Sequence, residues 1–175
     1  DETDVELVGG LFENKSSTGK FDRPSIYAGH FVVDSAKNLR MELVKPDKEV
    51  IRCDIVNNFF MADTQAVSVK LGGWDPKLKT SEHRYFFWTA KKSGLRVAFT
   101  PSVSANHTGA RPSSKYVFYR RTRRNKYFLR TLKKMGVQSW TDEWATITRN
   151  DLQPRWYKFI FQQKCIPWFI TKFWR

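Results

Sequence analysis

One segment, GGWDPKLKTSEHRYFFW from Gly72 to Trp88, holds a tight turn, a carboxylate, an imidazole and four consecutive aromatic residues. A carboxylate or an imidazole held in a cleft can accept or donate a proton, so Glu82 and His83 are candidates for acid–base chemistry. A helix that only fills a core needs neither of them. A solvated loop does not need Tyr85, Phe86, Phe87 and Trp88. The plainer readings stay open: Glu82 as a first-turn acid that stabilises a helix N-terminus, and His83 as a structural residue. Asn57 and Asn58 upstream add two amides, which either bind a ligand or end a strand. His107 downstream is a further candidate, or a loop histidine inside the sequon Asn106-His107-Thr108.

The elements that must carry these groups can be read from pattern. "DVELVGG" reads as a short strand ended by Gly9 and Gly10. Residues 27–33 and 39–44 alternate weakly and suit a hairpin. Residues 46–49 form a turn before a strand over 50–56. "NNFFMA" is apolar after its two amides. Asp63 or Thr64 can cap a short helix through Lys70, which Gly72 and Gly73 end. Ser81 is a good N-cap for a helix from Glu82 to about Lys92, closed by Gly94. "LRVAFT" (95–100) is a strand that Pro101 should stop, and 103–107 is a second extended piece. Beyond Gly109, Ser113 or Ser114 can open a helix through about Met135, ended by Gly136. Phe128, Leu132 and Met135 lie on one of its faces, and Arg120, Arg121, Arg123, Arg124 and Lys126 on the other.

In this order, "DVELVGG", "IVNNFFMA", "GGWDPKL", "EHRYFF", "GLRVAF" and "VSANH" resemble the C-terminal half of a GT-A glycosyltransferase domain. More narrowly, they are similar to the β-1,4-N-acetylgalactosaminyltransferases. The resemblance spans residues 4–107, and it is the order and spacing of the motifs, rather than any one of them, that carries it. It implies an α/β fold, a mixed sheet with flanking helices, divided into the acceptor side of the catalytic domain (1–110) and a basic, aromatic-rich, mainly helical tail (111–175). The activity implied is inverting transfer of N-acetylgalactosamine or a related hexosamine from a UDP-sugar to a glycan or glycolipid.

The resemblance also assigns roles. Gly72, Gly73 and Asp75 form a turn below the acceptor site, Glu82 meets the acceptor as base, and His107 completes the shell of a Mn2+ or Mg2+ ion. Relatives carry Glu-Asp where this chain has Glu82-His83, so the base is either Glu82 or its neighbour. Trp74 either stacks on a sugar face or packs beneath the turn. Asn57 and Asn58 are candidate sugar contacts. The Asp-x-Asp motif that holds the metal on the donor diphosphate would precede "DVELVGG", and "DETD" lacks its spacing. The chain is therefore expected to be part of a longer polypeptide and inactive alone. For the full-length protein the family implies a Golgi-lumenal, type II membrane protein.

Composition bounds these expectations. The chain has 175 residues, 41% hydrophobic and 15% aromatic, which is enough for a cored domain and excludes a disordered one. No apolar run approaches a membrane span. The net charge of +14 is uneven: from Arg111 onward there are 16 Lys and Arg against three acids, while the rest is nearly neutral. The tail suits a solvated helix face or an anionic membrane surface, with nucleic acid the least favoured partner. The alternative function is a non-catalytic remnant acting as a basic binding module. Cys53 and Cys165 lie outside any CxxC and are either buried thiols or a pair.

Overall fold

The computed structural model describes residues 4–14, 26–79, 81–107, 114–142 and 146–152. They form an α/β fold with two four-stranded mixed sheets and three helices. The first sheet has the order β4-β6-β1-β5, built from β1 (Leu7–Asn14), β4 (Ile51–Cys53), β5 (Phe60–Ala62) and β6 (Val97–His107). The second has the order β2-β3-β7-β8, from β2 (Gly29–Val33), β3 (Asn38–Leu43), β7 (Ser139–Thr141) and β8 (Thr146–Thr148). The helices are α1 (Thr64–Leu71), α2 (Glu82–Lys92) and α3 (Ser114–Met135).

Two strand ends differ from the sequence reading. Gly9 and Gly10 do not end the first strand; β1 runs through them to Asn14. They are there for close approach, since a Cβ on Gly9 would lie 2.5 Å from Val56 and one on Gly10 2.5 Å from the Val103 carbonyl oxygen. Nor does Pro101 stop its strand, because β6 continues to His107. The parallel ladder pairs Gly9 with Phe99 and then Leu11 with Ser104, so residues 100–103 bulge opposite Gly10. Proline has no N–H to give to a ladder, and inside this register break none is needed.

The predicted hairpin forms, with Gly29 opposite Leu43 and Val33 opposite Leu39. Asp34 closes its turn by accepting hydrogen bonds from the Asn38 backbone N–H (2.8 Å) and side-chain amide (3.0 Å). The strand expected over 50–56 is confined to Ile51–Cys53, with Ile55 adding only a bridge to Gly29. "NNFFMA" contributes β5, antiparallel to β1.

The described residues after 110 supply one helix and two strands, and they share a core with what precedes them. β7 pairs in parallel with β3, and Phe128, Leu132, Met135, Val137 and Trp140 are buried in one cluster with Phe31, Leu39, Phe87 and Phe99. Burial of each large apolar side chain of this kind contributes on the order of 2 kcal/mol. Trp140 is fully buried, edge-on to Phe31 at 5.7 Å, and donates its indole N–H to Asp142 at 3.0 Å. Cys53 is a buried thiol whose pKa burial pushes up to about 12, so it stays protonated and unreactive. Cys165 lies outside the described residues.

Candidate functional site

α1 leads into the site. Asp63 caps it, its Oδ1 accepting from the N–H groups of Gln65 (2.8 Å) and Ala66 (3.0 Å). Gly72 closes it in the left-handed conformation (φ 64°), and Gly73 continues there at φ 81°. Nothing lies within 4 Å of where a Cβ would stand on either glycine, so their requirement is conformational rather than steric. The two successive turns bring Trp74 back over α2. Its ring stacks on Phe86 at 4.2 Å and 18°, yet the residue remains 43% exposed.

Asp75 stabilises this turn. Its Oδ1 accepts from the Lys77 N–H at 2.9 Å, and its Oδ2 binds the Lys134 ammonium on α3. The Lys134 hydrogen bond holds the Asp75 carboxyl below its ordinary pKa. Asp75 thus ties the turn to α3 and offers no free carboxylate.

α2 starts where the sequence predicts, but Ser81 makes no side-chain cap bond, and its hydroxyl is buried without a partner. The three residues that follow point to three different neighbours. Arg84 clamps α2 to the later part of the chain. It pairs with Asp142 at 3.3 Å and lies over the rings of Phe128 (5.1 Å) and Trp140 (4.9 Å). His83 turns toward the first sheet, where its Nε2 lies 2.7 Å from the Val56 carbonyl oxygen. A carbonyl can only accept, so Nε2 carries the proton and Nδ1 the lone pair. Nδ1 is shut off from solvent and has no partner. Burial depresses the His83 pKa to about 4, keeping the imidazole neutral at physiological pH. Its ring packs edge-on against Phe87 at 5.0 Å.

Glu82 takes the remaining direction. With Asn58, Phe60 and Trp74 it lines an open hollow of about 320 Å³. Its Oε2 is buried and accepts no hydrogen bond from the protein. A shielded carboxylate oxygen without a donor is costly, and in a native fold such an atom calls for an explanation.

The structure therefore brings Glu82, Trp74 and Asn58 together and assigns Asn57 elsewhere. Asn57 is buried, donates to the Gly10 carbonyl oxygen at 2.7 Å and accepts from the Phe59 N–H at 2.8 Å, so its amide braces β1 against the loop. His107 ends β6 with its backbone opposite Asn14, and its side chain lies outside the described residues. Among the described residues no three His, Cys, Asp or Glu side chains converge, so these residues do not by themselves fit a manganese or magnesium ion.

Sequence reasoning missed Phe60 and the two anchors of α2, the Val56 carbonyl and the Asp142 carboxylate. Phe60 was within reach. In an extended segment residues two apart share a side, so Asn58 and Phe60 belong together. The anchors carry no local signal. No protein-family model matches the chain, and no curated protein sequence is significantly similar to it.

Proposed function

We propose that the chain is the acceptor side of a GT-A glycosyltransferase that transfers N-acetylgalactosamine or a related hexosamine from a UDP-sugar to a glycan or glycolipid, with inversion. The observation that carries this reading is the hollow itself, which Glu82, a carboxylate with one oxygen lacking a donor, lines together with the half-exposed ring of Trp74. A sugar is an apolar face edged with hydroxyls. Trp74 offers a surface for the face, and Glu82 and Asn58 offer polar partners for the edge.

In this mechanism the acceptor sugar lies against Trp74 with one hydroxyl donating to Glu82. As that hydroxyl oxygen attacks the anomeric carbon, its proton passes to Glu82. The new carbon–oxygen bond forms on one face while the bond to UDP breaks on the other, so the anomeric configuration inverts. Holding the acceptor hydroxyl in line with the anomeric carbon lowers the barrier by sparing the entropy of that alignment. His83 positions rather than reacts. Its proton-bearing nitrogen is committed to Val56, and that bond fixes the direction of α2's first turn. The UDP-sugar and its divalent cation would be held mainly by a nucleotide-binding half, with His107 as one ligand, and the cation would neutralise charge on the leaving diphosphate.

UDP release with manganese and a panel of UDP-sugars tests the reading. The polypeptide that joins this chain to its nucleotide-binding half is expected to turn over a hexosamine donor only when an acceptor is present, and this chain alone is expected not to. A joined polypeptide inactive with every donor and acceptor favours the runner-up, a non-catalytic remnant acting through its basic surface.

A further inference from the structure

α3 has two halves that live in different surroundings. From Tyr127 onward it enters the core, with Phe128, Thr131, Leu132 and Met135 buried. Before that, every residue in 115–126 whose side chain is described is exposed. Those twelve residues extend about 18 Å along the helix axis. The whole helix contains nine Lys and Arg and no acid. We propose that this exposed half of α3 is a docking arm for the surface of an anionic lipid bilayer, a role separate from the transfer reading.

The charge is organised. Tyr116, Tyr119, Arg120, Arg123, Tyr127 and Arg130 recur every three or four residues and so share one stripe. Within it the Arg120 guanidinium lies 5.7 Å over the Tyr116 ring and that of Arg130 5.8 Å over Tyr127, while the hydroxyls of Tyr119 and Tyr127 lie 3.0 Å apart. Guanidinium groups bind phosphate and carboxylate headgroups through paired N–H donors, and tyrosine is at home where one end of the ring is apolar and the other wet. Phe118, 70% exposed, lies about 150° round the helix from this stripe and takes no part in it. Charge gives the attraction, and the tyrosine rings of the stripe give the amphipathic contact at the headgroups.

The same residue types also suit nucleic acid, but the geometry favours lipid. Stacking on bases needs open aromatic faces. Here Tyr116 and Tyr127 already have a cation on the ring. Among the described residues no helix is long and apolar enough to cross a membrane.

Co-sedimentation of the 175-residue chain with phosphatidylcholine vesicles, with and without phosphatidylserine, tests the proposal. Binding is expected to need phosphatidylserine and to weaken steeply from low to physiological salt, as screening shortens the reach of exposed charge. Joint replacement Arg120→Glu, Arg123→Glu and Arg124→Glu should weaken it about 100-fold or more. Arg120→Gln with Arg123→Gln, at unchanged far-ultraviolet circular dichroism, keeps the test valid if charge reversal harms folding. The proposal is overturned by parent-like binding of these variants, by equal binding to neutral vesicles, or by no vesicle binding at low salt. It is also overturned if a single-stranded oligonucleotide binds more tightly than the vesicles at physiological salt.

Discussion

The first turn of α2 and the first half of α3 use similar residues to opposite ends. Both mix aromatic rings with charged and polar groups. In the first turn of α2 the polar side chains take separate directions: Glu82 lines the hollow, His83 is held on Val56, and Arg84 on Asp142 and Trp140. In α3 the tyrosines and arginines stay on the outside and meet mostly one another. Enclosure fixes direction, and a fixed direction is what chemistry on a single bond requires. Exposure leaves charge without fixed aim, which suits a broad partner. The contrast predicts that changes in α2 disturb catalysis and stability, while changes in the α3 arm disturb neither.

The largest expected effect is on turnover. Glu82→Gln keeps shape and loses the proton acceptor, so kcat of the full-length polypeptide should fall about 100-fold or more with donor affinity little changed. A near-parent kcat would remove Glu82 as the base and dissolve the distinction between the enclosed and exposed helices at its most specific point.

Next in size is an acid sensitivity lodged in His83. Its folded pKa of about 4 lies below the ordinary 6.5. Between those values the unfolded chain binds a proton that the folded chain refuses, so stability falls as pH drops from 6.5 toward 4. A depression of this size corresponds to roughly 3 kcal/mol across that window. Urea unfolding at a series of pH values should show this loss, and His83→Gln, which cannot titrate, should flatten it. An equal pH slope in parent and variant would mean that His83 is not shielded as described.

Smaller still is the turn that delivers Trp74. Gly73→Ala meets no steric obstacle but must hold φ near 81°, at a cost of about 1 kcal/mol. A drop in the urea midpoint without a change in m-value is the expected signature. Least of all, Arg120→Glu combined with Arg123→Glu should leave unfolding free energy within about 0.5 kcal/mol of the parent. A larger loss would show that the arm is part of the stabilising structure and that the two helices differ less than their exposures suggest.

Local pattern made much of the scaffold legible. The Asp63 cap of α1, the start of α2, the glycine stops of α1, α2 and α3, the hairpin of β2 and β3, and the apolar side of α3 all depend on residues within a few positions of one another, where φ preferences and helix spacing act directly. The same local logic failed at Gly9, Gly10 and Pro101, because their roles are set by contacts with Val56, Val103 and the β1–β6 register, which lie far away in sequence. It also gave no hint that β7 would join the sheet of β3, bringing Trp140 and Asp142 under Arg84.

For the site the division is sharper. The sequence by itself determined which chemical groups are available and that Glu82 and His83 open a helix behind a glycine turn, since residue type and helix phase are local properties. Only the tertiary structure decided which of them could act. Asn57, Asn58, Glu82 and His83 are equivalent candidates until packing chooses for each a direction and a partner. Asn57 and His83 become braces because backbone groups of β1 and of Val56 meet them in the interior. Asn58 and Glu82 face the hollow because Trp74, turned back by Gly72 and Gly73, builds a wall opposite them. Burial and hydrogen-bond partnership depend on residues distant in the chain, so no local spacing encodes them.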